Sequence, residues 1–242
     1  MSLKKDLTII FVSFYSKNLI EKPINQIDNE IPIIVVENSL DMNLKRELEN
    51  KYSNVSVIIP NKNTGNGGGV NVGLNLVKTK YALYLDIDII LEKTTNDELY
   101  KCANYFDDFS ILAPSIDGLV YKEEYYIEKN ISNNVHSMNF VTGCALFFNM
   151  SALNIIGKFD ENIFLYYEEN DLYLRSIKNN FKIYLVNNAR IKHIGNVSTD
   201  IINKDQIEIN RNWHLMWSTF YFHKKHYGII TAYNKTFFKL IS

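Results

Sequence analysis

One stretch limits the possible folds more than any other. Residues 61–91 read NKNTGNGGGVNVGLNLVKTKYALYLDIDIIL. Glycines crowd its start, at Gly65, Gly67, Gly68, Gly69 and Gly73, and a short amphipathic segment over 70–78 follows. Then comes a run, 81–85, that is apolar on both faces and stops at Asp86-Ile87-Asp88. Such a run predicts a strand covered on both sides, as in a sheet between layers of helices. A glycine-rich loop, a helix and a buried strand in that order predict an α/β architecture with parallel connections. Carboxylates at the strand exit then fall at the C-terminal edge of the sheet, where open α/β sheets bind ligands. Residues i and i+2 of an extended segment project the same way. Asp86 and Asp88 can therefore hold a hard divalent cation, which can grip a diphosphate. The bland reading is a pair of solvated loop carboxylates. The glycines match neither the phosphate-loop pattern ending in Gly-Lys-Ser/Thr nor, cleanly, Gly-x-Gly-x-x-Gly.

The remaining segments repeat the alternation. Apolar runs at 7–14, 32–36 and 55–59 predict strands, and 18–28 and 41–51 predict helices, the second with Asp41 as N-cap. Polar residues collect where these strands end, at Ser13, Glu37, Asn38 and Asn63. Several polar strand ends on one edge look like a nucleotide site. Beyond the Asp pair, 94–106 predicts a helix and 110–114 a strand, while the Tyr-rich 120–128 suits an exposed strand or hairpin. Residues 140–148 read as one strand, with Gly143 marking either a bulge or a close approach. A helical turn over 151–156 ends at Gly157.

A second acidic cluster, Glu168, Glu169 and Asp171, opens a helix, where carboxylates suit the dipole. Arg175 follows Asp171 at ion-pair spacing, so a well-capped surface helix accounts for the pattern. The approach is unusually aromatic (Phe159, Phe164, Tyr166, Tyr167), and a carboxylate lodged there would have a raised pKa and could serve as general base. Residues 181–186 predict a strand, with His193 shortly after it, and 206–227 a long helix mixing aromatic and basic side chains. That helix suits a membrane interface, a dimer surface or packing on the domain.

Composition excludes little but is consistent. The chain has 242 residues, 46% hydrophobic and 22% charged, enough for a sizeable core. A net charge of -1 gives no reason to expect nucleic acid as a partner. Cys102 and Cys144 lack disulfide or metal spacing and read as buried thiols in a reducing compartment. The first apolar run is too short to span a membrane. No linker interrupts the chain, which reads as one domain.

In order and spacing the motifs resemble family 2 glycosyltransferases, in particular the bacterial rhamnosyltransferase-like branch. The matching residues are the strand ending in Ser13, Ile34 to Asp41, Asn63 to Gly73, Asp86-Ile87-Asp88, Thr142 to Ala145, Gly157 to Glu161, Tyr167 to Arg175, and His193. The resemblance implies a GT-A fold, a Rossmann-like central and mostly parallel sheet flanked by helices. It divides the chain into a nucleotide-binding half over about 1–92, an acceptor-binding half over about 93–204 and a C-terminal aromatic and basic segment over 205–242. It implies inverting transfer of rhamnose or another hexose from a dTDP- or UDP-sugar to a saccharide acceptor, lipid-linked at the cytoplasmic face of the membrane, in surface polysaccharide synthesis. By resemblance Asp86, Asp88 and His193 hold Mg²⁺ or Mn²⁺. Ser13, Glu37, Asn38, Asn63, Gly67 and Asn71 contact the nucleotide, and Gly143 and Asp160 lie beside the sugars. Glu169 is the base, and Glu168 and Asp171 shape the acceptor site. Two departures stand out: Glu168-Glu169 replaces the family's usual Glu-Asp, and Glu37 replaces its usual Asp. A non-catalytic nucleotide-sugar-binding or scaffold subunit is the alternative from another class; it would have no need of the Glu168-Glu169 pair.

Overall fold

The computed structural model describes residues 2–132, 134–195 and 204–241. After a short α1 (Leu3–Asp6) come β1 (Leu7–Ser13), α2 (Glu21–Ile24), β2 (Ile33–Glu37), α3 (Met42–Lys51), β3 (Val55–Ile58), α4 (Gly65–Leu74) and β4 (Tyr81–Leu85). Then follow β5 (Ile89–Leu91), α5 (Thr95–Tyr105), β6 (Phe109–Ile116), β7 (Tyr126–Ser132), β8 (Val135–Met138), β9 (Ala145–Asn149), α6 (Met150–Ile156) and α7 (Glu168–Lys178). The last elements are β10 (Lys182–His193), α8 (Lys204–Tyr227) and α9 (Ile229–Ile241). One sheet runs β3-β2-β1-β4-β9-β6-β10-β8-β7, with β5 paired to the end of β10. The stretch from β3 to β4 is wholly parallel, and antiparallel pairs enter at β9. This is the expected α/β architecture.

Alternation along each strand builds two cores. From β1, Leu7, Ile9 and Phe11 join a cluster with Leu44, Leu48, Leu99 and Cys102 on one face. Ile10 joins Val70, Leu74, Leu153, Leu172 and Tyr173 on the other. Asp41 caps α3 as expected, accepting from the Asn43 and Leu44 amides. Cys102 and Cys144 are both free and buried.

Three local expectations need correction. The glycine tract is not a loop: it is the helix α4 itself, begun several residues earlier than expected. Its glycines let the helix lie hard against the sheet. A Cβ on Gly73 would sit 2.7 Å from Ile10 Cγ2, and one on Gly69 2.8 Å from Val12 Cγ1. The run 140–148 is extended strand only from Ala145; the part around Gly143 is a loop turned toward α7. The helix expected over 18–28 shrinks to α2, one turn containing Pro23. The long helix expected over 206–227 is α8; Gly228, at φ +89°, ends it before a further helix, α9.

Candidate active site

The parallel strands deliver polar residues to one edge. Ser13 pairs with Glu37 at the ends of β1 and β2, and Leu85 lies opposite Phe11, so Asp86 emerges beside them. β9 runs back antiparallel to β4, and the Asp86 amide donates to Cys144 O at 2.8 Å. The long β10 returns to the same place. Its last residue, His193, pairs with Ile89, the first residue of β5. As a result Asp86, Asp88 and His193 each offer a ligand atom within 4.8 Å of the others.

The chemistry of this trio fits a divalent cation. Two carboxylates and an imidazole are a common oxygen and nitrogen donor set. Asp88 is buried, and its Oδ1 makes no hydrogen bond, although His193 Nε2 lies 3.2 Å away. Burial pushes the Asp86 carboxyl up to about 7; the Tyr84 hydroxyl, donated to Asp86 Oδ1, only partly offsets this, and the Asp88 charge adds to it. Two carboxylates held this close and this dry call for a compensating positive charge.

A cleft of about 450 Å³ opens beside the trio. Asn38, Asn63, Asn66, Tyr84 and Asp86 line it, together with Phe164 and, from α8, Arg211 and His214. Asn38 donates to Gly65 O at 2.9 Å and accepts from the Thr64 hydroxyl at 3.0 Å. Asn63 accepts from the Gly65 amide at 2.9 Å. Behind this edge, Ser13 and Glu37 are fully buried; Ser13 Oγ and Glu37 Oε2 have no hydrogen-bond partner, while Glu37 Oε1 accepts from the Ser39 amide.

The second acidic cluster reaches the same region from α7. Tyr166 and Tyr167, both with positive φ near 70°, turn the chain sharply so that Glu168 and Glu169 begin the helix pointing inward. Glu168 is buried; its Oε1 accepts from Asn66 Nδ2 at 3.3 Å, and its Oε2 has no partner. Burial, then the neighbouring Glu169 charge, pushes Glu168 up to about 8. Burial also raises Glu169, which stays partly exposed and packs its carboxyl about 3.4 Å from where a Cβ on Gly143 would be. Asp86 feels the charge of Glu169, and Glu168 that of Asp86, so both acidic clusters act on one site.

Other expected residues lie elsewhere. Asp171 has no exposed surface. It accepts from Arg175 Nε at 2.8 Å and lies 2.6 Å from Lys225 Nζ and 2.7 Å from His226 Nε2. Burial alone would raise its pKa, but Lys225, Arg175 and His226 together hold it below the usual carboxylate range. Asp160 accepts from Tyr221 OH at 3.0 Å and from Lys225 Nζ at 2.7 Å. Against the opposing effect of burial, Lys225 and the Asn162 donors pull Asp160 down to about 2. Both aspartates fasten α8 to the domain, and neither lines the cleft. Asn71 is likewise a brace, donating to Phe159 O at 2.9 Å and accepting from the Phe159 amide at 3.0 Å. Gly67 makes room for Phe159 and Glu168.

The cleft also uses polar residues that the sequence does not mark as site residues, among them Asn66, Tyr84, Arg211 and His214. Asn66 was hidden within the glycine tract, and Tyr84 within an apolar strand. Arg211 and His214 are three apart on α8 and share a face, but nothing local says which face meets the sheet edge.

The backbone superposes on solved structures of low sequence identity. A crystal structure of GalNAc-T7 with UDP, GalNAc and Mn²⁺ matches over 90% of this chain and 50% of its own, with a TM-score of 0.65 and 12% identity. The chain has the GT-A glycosyltransferase fold. A second GT-A match is the mannosyltransferase PcManGT from Pyrobaculum calidifontis in complex with GDP-Man and Mn²⁺; it covers 88% of this chain and 63% of its own, with a TM-score of 0.64 and 11% identity. Among curated proteins, the low-salt glycan biosynthesis hexosyltransferase Agl10 of Haloferax volcanii is 25% identical over 198 residues, 74% of this chain. The chain spans 64% of the length of that relative. No family model matches the sequence.

Proposed function

We propose that this chain is a metal-dependent, inverting glycosyltransferase that moves rhamnose or another hexose from a UDP- or dTDP-sugar to a saccharide acceptor in surface glycan synthesis. The observation that carries the reading is the meeting of two acidic clusters at one sheet edge: Asp86, Asp88 and His193 on one side and Glu168-Glu169 on the other. The fold shared with UDP- and GDP-Man-bound structures supports a nucleotide-sugar donor.

Asn38 and Asn63 line the nucleoside end of the cleft, with Ser13 and Glu37 behind them. Buried polar atoms without protein partners, such as Ser13 Oγ and Glu37 Oε2, suit groups that meet a polar ligand. Asp86, Asp88 and His193 would hold the cation, which would supply positive charge to offset that on the departing diphosphate. Glu169 is the base because it is the accessible member of its pair, with a pKa raised toward the working range. It takes the proton of an acceptor hydroxyl while that oxygen bonds to the anomeric carbon. The anomeric carbon–oxygen bond breaks on the opposite face, and its electron pair leaves with the nucleoside diphosphate. A single displacement inverts the anomeric centre.

The acceptor in this reading is a lipid-linked saccharide, and α8–α9 rests on the inner face of the cell membrane. Residues 209–242 contain no Asp or Glu, and beyond Arg211 and Lys225 they carry Lys224, Lys235 and Lys239. α9 exposes Ile230, Tyr233 and Phe237. A basic helix with an apolar face suits an anionic lipid interface. Among the described residues no helix is long and apolar enough to cross a membrane.

Incubating the protein with Mn²⁺, UDP- or dTDP-hexoses and lipid-linked saccharides tests the reading. Nucleoside diphosphate release, with a product of inverted anomeric configuration by NMR, supports it. Retention of configuration would remove the single-displacement mechanism, and donor binding without turnover on any acceptor would favour a binding subunit.

A further inference from the structure

α8 does more than cover the domain. Its C-terminal half is fixed by the Lys225 and His226 contacts to Asp171 and the Lys225 and Tyr221 contacts to Asp160. Its middle is fixed to the 162–167 loop: Ser218 donates to Leu165 O at 2.8 Å, and Tyr167 packs on Phe222 with ring centroids 5.1 Å apart. With the helix held at these points, its N-terminal half lies along the cleft, where Arg211 and His214 form part of the wall. The His214 ring stacks on Phe164 at 4.4 Å and 20°, and its Nδ1 is buried without a partner.

Charge makes Arg211 the informative residue. Among the described residues lining the cleft, Asp86 is the acidic one and Arg211 the one permanently charged base. In the donor reading above, Asp86 and Asp88 together balance a divalent cation. The two negative charges of a sugar-linked diphosphate then still need a partner. Arg211 is exposed, three residues from the stacked His214, and faces the same cleft as Asp86. A guanidinium forms charge-assisted, bidentate hydrogen bonds to phosphate oxygens.

We infer that Arg211, carried by α8 into the cleft that Asp86 also lines, grips the diphosphate of the donor. Arg211 is thus a donor-binding residue. The C-terminal helix becomes part of the active site, and losing it would cost donor affinity as well as packing. The inference rests on the nucleotide-sugar reading of the same cleft.

Titration calorimetry with Mn²⁺ and the series UDP, UMP and uridine tests it on the full chain, with dTDP and GDP series run in parallel. Arg211→Ala is expected to weaken the preferred nucleoside diphosphate about ten- to hundred-fold, as for loss of a charged hydrogen bond. It should leave the parent nucleoside within about twofold. Arg211→Lys should fall between, since it keeps the charge but not the fork. The side chain is exposed, so an unchanged melting temperature is expected alongside. Undiminished diphosphate affinity in Arg211→Ala would overturn the inference, as would an equal loss for the nucleoside. If the wild-type protein bound no nucleoside diphosphate at all, the donor reading itself would fall, and the inference with it.

Discussion

His193 Nε2 lies 3.2 Å from Asp88 Oδ1, although one comes from the end of β10 and the other from the turn after β4. The approach is fixed by backbone: His193 pairs with Ile89, and the Ile194 amide donates to Asp88 O at 3.1 Å. A site assembled this way should bind a cation before any nucleotide arrives. Mn²⁺ at about 100 times its Kd should stabilise the fold by about 2.7 kcal/mol, a rise of roughly 5–10 °C in Tm for a chain of this size. Chelation should reverse the rise, and Asp88→Asn or His193→Ala should remove it. An equal rise in those variants would place the metal elsewhere.

The carboxylate pair predicts a pH profile. Burial and then the Glu169 charge push Glu168 up to about 8, and desolvation raises Glu169 against a backbone hydrogen bond that lowers it. A base must be ionised to act, so kcat/KM should rise with pH along a limb lying above the ordinary Glu value of about 4.3. The pair titrates as a unit. Glu168→Gln removes one of the two charges, so the limb should move to lower pH while turnover persists. A limb that stays in place would separate Glu168 from the titration.

The Asp171 network predicts stability, not catalysis. Asp171 is wholly buried among Arg175, Lys225 and His226. Breaking a buried ion pair from one side costs about 3–5 kcal/mol, so Asp171→Asn should lower Tm sharply while the folded fraction still binds donor.

Asp160, which shares Lys225 with Asp171, adds an acid dependence. A carboxylate lowered from 3.8 to about 2 stabilises the fold above its unfolded pKa, and that stability is lost as pH falls from about 4 toward 2. Asp160→Asn should flatten the stability curve across that window. An unchanged curve would mean that α8 is held by other contacts.

The glycines of α4 predict a contrast. Alanine ordinarily gains about 1 kcal/mol over glycine in a helix. At Gly68 a new Cβ would meet Thr64 Cβ at 3.1 Å, a tight contact that a small shift of Thr64 has to relieve, so Gly68→Ala should stay within about 1 kcal/mol of wild type. At Gly73 the new Cβ meets Ile10 Cγ2 at 2.7 Å, and overpacking of about 1–3 kcal/mol should outweigh the gain. Chemical denaturation of both variants measures the difference.

These residues also show what the sequence could reveal. The strands β1, β2 and β4 and the Asp86-Ile87-Asp88 exit are legible because burial on both faces leaves a continuous apolar run with a polar stop. The glycine tract was misread because glycine signals loops locally; only the contacts of Gly69 and Gly73 with Val12 and Ile10 show that close packing was the reason for it. Asp160, Asp171 and Asn71 carry the residue types of an active site, yet their partners come from α8 or the 157–161 segment. Ion pairs across long sequence separations leave no local pattern. Arg211 and His214 were visible as basic residues among aromatics, but which face of α8 meets the cleft depends on the contacts that fix the helix.

In the proposed reaction the two acidic clusters divide the work, donor binding at Asp86, Asp88 and His193, and proton removal at Glu169. Donor affinity and transfer rate measured side by side in Glu169→Gln test this division. Donor affinity is expected within about twofold of wild type and transfer reduced by about 10²–10⁴, as for loss of a general base. Transfer at the wild-type rate, or donor affinity lost in step with transfer, would contradict it.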